Sequence, residues 1–241
     1  MATDMGFFGK LPGYGDFIER HLPRSFVEVW DQWLQRAMAG SRQLLGEHWL
    51  DSYLTSPVWR FALSSGCVDG HAWIGVILPS VDRVGRYFPL TIAMPMNSSV
   101  NLSMALYHNA DWFMRLQEIG LACLQESPTV EAVVDVLDGL PDPVLRPWRA
   151  QAAQTRSLGT NVTLFEASDV KPEQSDVSLT QSLLLSESLL RQHYASYSLW
   201  FSAGTEQVAD NMLTSEFLPD PVGYVSMLTG QWTEYGWNQV N

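Results

Sequence analysis

With 241 residues, 46% of them hydrophobic and only 17% charged, the chain carries enough apolar material for a large buried core, which excludes bulk disorder. The net charge of −12 is unevenly spread: residues 1–100 hold eight Lys/Arg against nine Asp/Glu, and residues 101–241 hold six against seventeen. Such a negative chain repels phosphate backbones and anionic bilayers, so no nucleic-acid partner is expected, and no apolar run approaches the roughly 18 residues of a membrane helix, so no membrane insertion is expected either. The amino terminus has no basic start followed by an apolar stretch and does not read as a signal peptide. Cys67 and Cys123 lie far apart in apolar surroundings and are expected to be buried thiols in a reducing compartment, so the expected location is cytoplasmic.

In chain order, residues 6–16 hold four glycines and a proline around Phe7 and Phe8, a short strand entering a tight loop. Pro23 suits the first turn of a helix whose apolar stripe is Phe26, Val29, Trp30, Trp33, Leu34, Ala37 and Met38. A second helix carries Leu45, Trp49 and Tyr53 on one face. The period then falls to two: residues 58–64 read as a half-buried strand, 66–70 as a turn, 73–78 as a strand covered on both faces, and 87–94 as a third strand after a polar loop. Connections this short favour an antiparallel meander. Leu106, Trp112, Phe113, Leu116, Ile119 and Leu124 mark one helix of more than four turns, and Val130, Val133, Val134 and Leu137 a shorter one ending at Gly139 and Pro141. Residues 139–176 are the least regular, with a short strand expected at 162–165. A helix at 178–194 and a buried strand at 198–201 follow, and the aromatic-rich remainder is expected to pack down. The fold class is α+β: a layered domain with a mainly antiparallel central sheet flanked by helices.

Few patterns for chemistry survive inspection. Gly9-Lys10 fails as a phosphate-binding loop because Asp4 stands where glycine is required and Leu11 where Ser or Thr is. A dinucleotide fingerprint begun at Gly13 and Gly15 meets Ile18 at its third position. The five histidines lack ligand spacing and no nucleophile motif is present, so no cofactor, metal or catalytic residue is assigned. The loop 79–86 is more informative, holding Asp82, Arg83 and Arg86 between two apolar strands. Either Asp82 caps the turn while an arginine pairs with a nearby carboxylate, or the guanidiniums present a fork to a carboxylate or phosphate on a partner. Asp16, after Gly13 and Gly15, is a helix N-cap or a partner contact. Trp30 and Trp33 read as core.

Three blocks carry a resemblance. GFFGKLPGYGDFIERHLPRSF runs into VEVWDQWLQ; WRFALSSG is followed by AWIGVILPSVDRVGRYFPLTI; SLWFSAG is a weaker third. Together they resemble the TagF (ImpM) family of type VI secretion-associated proteins, strongly over residues 6–95 and loosely beyond, with 150–241 departing most. The resemblance implies one TagF-like domain over 1–241, with a core at 6–140 and a less regular part at 141–241 packed on it. It also implies a non-catalytic cytoplasmic regulator, a post-translational repressor that binds the forkhead-associated scaffold protein of the secretion system and is linked to a threonine kinase/phosphatase pair. Lys10, Gly13, Asp16, Asp82, Arg83 and Arg86, in the two loops that match the family strings, are the partner-binding candidates. The acidic region after residue 100 is an alternative contact surface. Alternative functions are a small hydrolase with a spatially assembled site and a structural subunit of the secretion apparatus.

Overall fold

Apolar residues on alternate positions of short segments, separated by helices with one apolar stripe, dictate a sheet covered on both faces. The computed structural model describes residues 5–146 and 177–238. Its strands are β1 (Gly6–Gly9), β2 (Ile18–Arg20), β3 (Trp59–Leu63), β4 (Ala72–Leu78), β5 (Leu90–Met96), β6 (Tyr197–Ser202) and β7 (Asn211–Glu216). Its helices are α1 (Arg24–Leu45), α2 (Trp49–Leu54), α3 (Leu102–His108), α4 (Ala110–Glu126), α5 (Val130–Asp138), α6 (Val177–His193) and α7 (Pro221–Thr229). The strands form one sheet in the order β2-β1-β5-β4-β3-β6-β7, and every pair is antiparallel.

Neighbouring residues of one strand enter opposite cores. Phe7, Ile74 and Val76 face α3, α4 and α5, where Phe113, Leu116, Val130 and Val133 meet them. Phe8, Trp73 and Ile77 face α1, α2 and α7, against Phe26, Trp30, Trp33, Tyr53 and Met227. The second core is rich in aromatic rings: Trp30 lies 5.2 Å from Phe26, 4.7 Å from Trp33 and 5.0 Å from Phe61. Its indole N–H donates to Thr91 Oγ1 at 2.8 Å, so the polar end is satisfied where the ring is fully buried. Burying a side chain of this kind contributes about 1.5–3 kcal/mol.

The α+β layering and the antiparallel β3–β4–β5 meander agree with the sequence pattern, and several details differ. Val29 is 37% exposed and leaves the α1 stripe, and Leu45 ends α1 while a 3₁₀ turn at Gly46–His48 leads into α2. β3 is buried on both faces, since α3 covers Ala62 opposite Trp59, Phe61 and Leu63. The third strand begins at Leu90, because Tyr87 makes only a single bridge to Val81. The long helix is two helices: Asn109 Nδ2 donates to Ala105 O and Val144 O while its Oδ1 accepts from Val144 N, and this competing set breaks the helical run. Strands β2 and β7 were not expected, since they form the two opposite edges of the sheet and only Leu213 in them is buried. Residues 162–165 lie outside the described residues. The two cysteines are free and buried, and no described helix is long and apolar enough to cross a membrane.

Candidate protein-interaction site

The two sequence-matched loops meet at the end of β1. Gly9 turns the chain there with φ +142°, and a Cβ would stand 2.2 Å from Pro89 O, so only glycine fits. The turn sends Lys10 inward, 4% exposed, beside Asp82, 3% exposed, and their side chains form a buried ion pair. Asp82 is fully engaged. Its Oδ2 accepts from Lys10 Nζ and from Arg86 Nε at 2.6 Å, and its Oδ1 accepts from the Val84 and Arg86 backbone N–H groups at 3.0 and 2.8 Å. Burial would raise this carboxyl, but Lys10 and the Arg86 and Val84 donors outweigh it and hold the carboxyl well below the usual carboxylate range. Gly85, at φ +85°, closes the loop by donating to Asp82 O at 3.0 Å.

A second set of bonds ties the loops to the scaffold. Ser80 Oγ donates to Lys10 O at 2.6 Å, and Tyr53 of α2 donates to Ser80 O at 2.9 Å while accepting from Ser80 N. Arg83 N donates to Tyr14 O at 2.9 Å, and Tyr14 Oη accepts from Val130 N at the start of α5. Phe17 stacks on Phe8 at 5.6 Å, meets Phe88 edge-on at 4.8 Å, and lies 4.6 Å from Lys10 Nζ. Rigid elements therefore hold both loops, a prerequisite for presenting side chains at low entropic cost.

The six candidates take different places. Lys10 and Asp82 are buried and organise the site. Arg83 and Arg86 are exposed on it, and Arg86 Nη2 donates to Gly15 O. Asp16 is not an N-cap: it precedes strand β2, its side chain is fully exposed, and it stands 3.9 Å from Arg86 Nη2. Gly13 is exposed and points toward Ser127, apart from the arginines. In loop 82–86 Asp82 caps the turn and Arg86 pairs with it, while the Arg83 side chain has no hydrogen bond or ion pair among the described residues. Phe17, 46% exposed, and Val84, 65% exposed, border the arginines and were missed. The signal for Phe17 was an aromatic ring directly following the polar Gly-Tyr-Gly-Asp run.

A cleft of about 300 Å³ lies elsewhere, at the break between α3 and α4, lined among others by Tyr107, His108, Asp111, Trp112, Arg115 and Asp142. No serine, threonine or cysteine lines it, and the buried His108 Nε2 has no hydrogen-bond partner. Among the described residues no cluster of three His, Cys, Asp or Glu is placed to hold a metal.

Fold and site together define a three-layer α+β domain with a rigid, arginine-bearing loop pair at one end of its sheet. The sequence model of the TagF N-terminal domain, type VI secretion system-associated, matches residues 6–140, and the chain belongs to this family of type VI secretion-associated proteins. The crystal structure of PA0076 from Pseudomonas aeruginosa PAO1 at 2.05 Å resolution is similar, with a TM-score of 0.76 and 33% identity over 98% of this chain and 96% of that one. No curated protein matches the chain significantly.

Proposed function

We propose that the protein is a non-catalytic cytoplasmic regulator that represses type VI secretion by binding the forkhead-associated scaffold of the system. The observation that carries this reading is the loop pair itself. Both loops fall inside the family match, and a buried ion pair and side-chain bonds spend polar groups on holding exposed residues in place. Buried charge pairs are weak sources of stability, so their use here is consistent with fixing a surface geometry. A hydrolase reading finds less support, since the cleft beside His108 is lined by no serine, threonine or cysteine that could serve as a nucleophile.

The test is co-purification of the tagged chain with the forkhead-associated protein from cells expressing both, paired with a secretion assay. The expected result is capture of the scaffold and increased export of a type VI substrate when the gene is deleted. Failure to capture it with both proteins folded would sink the scaffold assignment, and unchanged export on deletion would sink repression.

A further inference from the structure

We propose that Arg83 and Arg86 form a clasp over Gly15 that takes a carboxylate from an acidic segment of a partner protein. Both guanidiniums converge on this glycine. Arg86 Nη2 donates to Gly15 O, and Arg83 Nη2 lies 3.6 Å from where a Cβ on Gly15 would stand. Arg86 spends its Nε on Asp82, whereas the Arg83 side chain has no hydrogen bond or ion pair among the described residues. The local charge is unbalanced. Lys10, Arg83 and Arg86 face one buried carboxylate, Asp82, and one fully exposed carboxylate, Asp16, held only at 3.9 Å. Solvent screens an exposed contact of that length, which leaves the Arg83 guanidinium and the outer edge of Arg86 available.

A guanidinium is a planar fork that matches a carboxylate, and two of them carried on one turn offer it several charge-assisted donors. Phe17 and Val84 add exposed apolar surface beside the donors, so the fitting ligand pairs an acidic residue with an adjacent apolar one. The chain's net charge of −12 argues against an extended polyanion, which the rest of the surface would repel, and favours a short acidic segment. The clasp rests on the reading of this loop pair as a docking face, but its test needs no scaffold.

The experiment is an amide and arginine Nε–H NMR titration of the full chain with the peptide acetyl-Asp-Leu-Glu-Leu-amide. Its neutral analogue acetyl-Asn-Leu-Gln-Leu-amide is the control, and acetyl-Leu-phosphothreonine-Leu-amide is a third probe. Saturable shifts are expected at Gly15, Phe17, Val84, Gly85 and the Arg83 and Arg86 side chains, with affinity at least about tenfold weaker for the neutral peptide. Arg83→Gln, which removes no intramolecular bond, is expected to weaken binding by a similar factor with an otherwise unchanged spectrum. Equal binding of the neutral peptide, unchanged affinity in Arg83→Gln, shifts centred elsewhere, or binding of the phosphopeptide alone would each overturn the clasp. If the chain binds the acidic peptide but not the scaffold, the clasp stands and the scaffold assignment falls. If it captures the scaffold but does not bind the acidic peptide, the scaffold assignment stands and the clasp falls.

Discussion

At the scale of single residues, the Asp82 carboxylate accepts from four donors, two of them cationic, and this fixes how it responds to acid. Its folded-state pKa lies below that of the unfolded chain, so its stabilising effect is complete above the unfolded value of about 4 and is lost as pH falls toward the folded one. Urea unfolding midpoints measured between about pH 2 and 7 are therefore expected to fall steeply below about pH 4 in the parent protein. In Asp82→Asn the amide N–H₂ must face either Lys10 Nζ and Arg86 Nε or, flipped, the Val84 and Arg86 backbone N–H groups, donor against donor in both orientations. The midpoint at neutral pH should drop and the acid limb should flatten. Parallel acid limbs in the two proteins would show that another carboxylate governs the response. The turn-capping role of Asp82 was legible in the sequence because an Asp three residues before Gly85 in a polar loop suits a turn. The burial of Lys10 was not, since a lysine among glycines looks like exposed loop until Ser80, Asp82 and Phe17 close around it. Asp16 misled for a similar reason: a carboxylate after glycines suits a cap, and the three-residue strand that follows is too short to announce itself.

Among the elements, α6 reverses the usual logic of an amphipathic helix. Its Leu185 and Leu189 are 45% and 55% exposed, while Glu187 is fully buried. The cause is the amino terminus of α3, whose Leu102 and Ser103 N–H groups donate to Glu187 Oε2 at 3.1 and 3.2 Å, joined by the Ser103 hydroxyl. Oε1 accepts from Arg191 Nε at 2.8 Å and from the Tyr197 hydroxyl of β6. Burial and the Glu187 anion push the Tyr197 pKa far up, so this hydroxyl remains a donor to Glu187 at neutral pH. One carboxylate thus joins α3, α6 and β6. Its removal in Glu187→Ala strands several buried donors at once and is expected to cost about 3 kcal/mol or more in urea unfolding. A loss under about 1 kcal/mol would mean that water replaces the carboxylate. Hydropathy places a helix at 178–194, within one residue of α6, but gives no sign of its inner face, because the burial of Glu187 is decided by backbone groups 84 and 85 residues away. The edge strand β7 was invisible for a related reason: with only Leu213 buried, it has no alternation for a pattern to detect.

For the whole molecule, the decisive feature is that one sheet serves two cores. Phe7 and Phe8, or Trp73 and Ile74, are chain neighbours that bury into opposite layers, so neither layer can lose its sheet face without disturbing the other. This argues for a single cooperative unfolding unit across the described residues despite three layers. The two cysteines report on it directly. Cys67 belongs to the core beneath α1 and donates to Tyr197 O at 3.2 Å, and Cys123 of α4 belongs to the core on the other face. Burial pushes both thiols up to about 11, so little thiolate is present at pH 8 and the native protein should react slowly with an aromatic disulfide reagent. Serine at one position leaves the other as the sole probe, and in Cys67→Ser the hydroxyl can still donate to Tyr197 O. Labelling across a urea series is expected to give the same midpoint for Cys67→Ser and Cys123→Ser, after allowance for their separately measured stabilities. A lower midpoint for the Cys123 thiol would mean that α4 and its neighbours open before the sheet does. The loop pair would then gain a source of motion, because Tyr14, which positions Arg83, is anchored on the α5 end of that same layer.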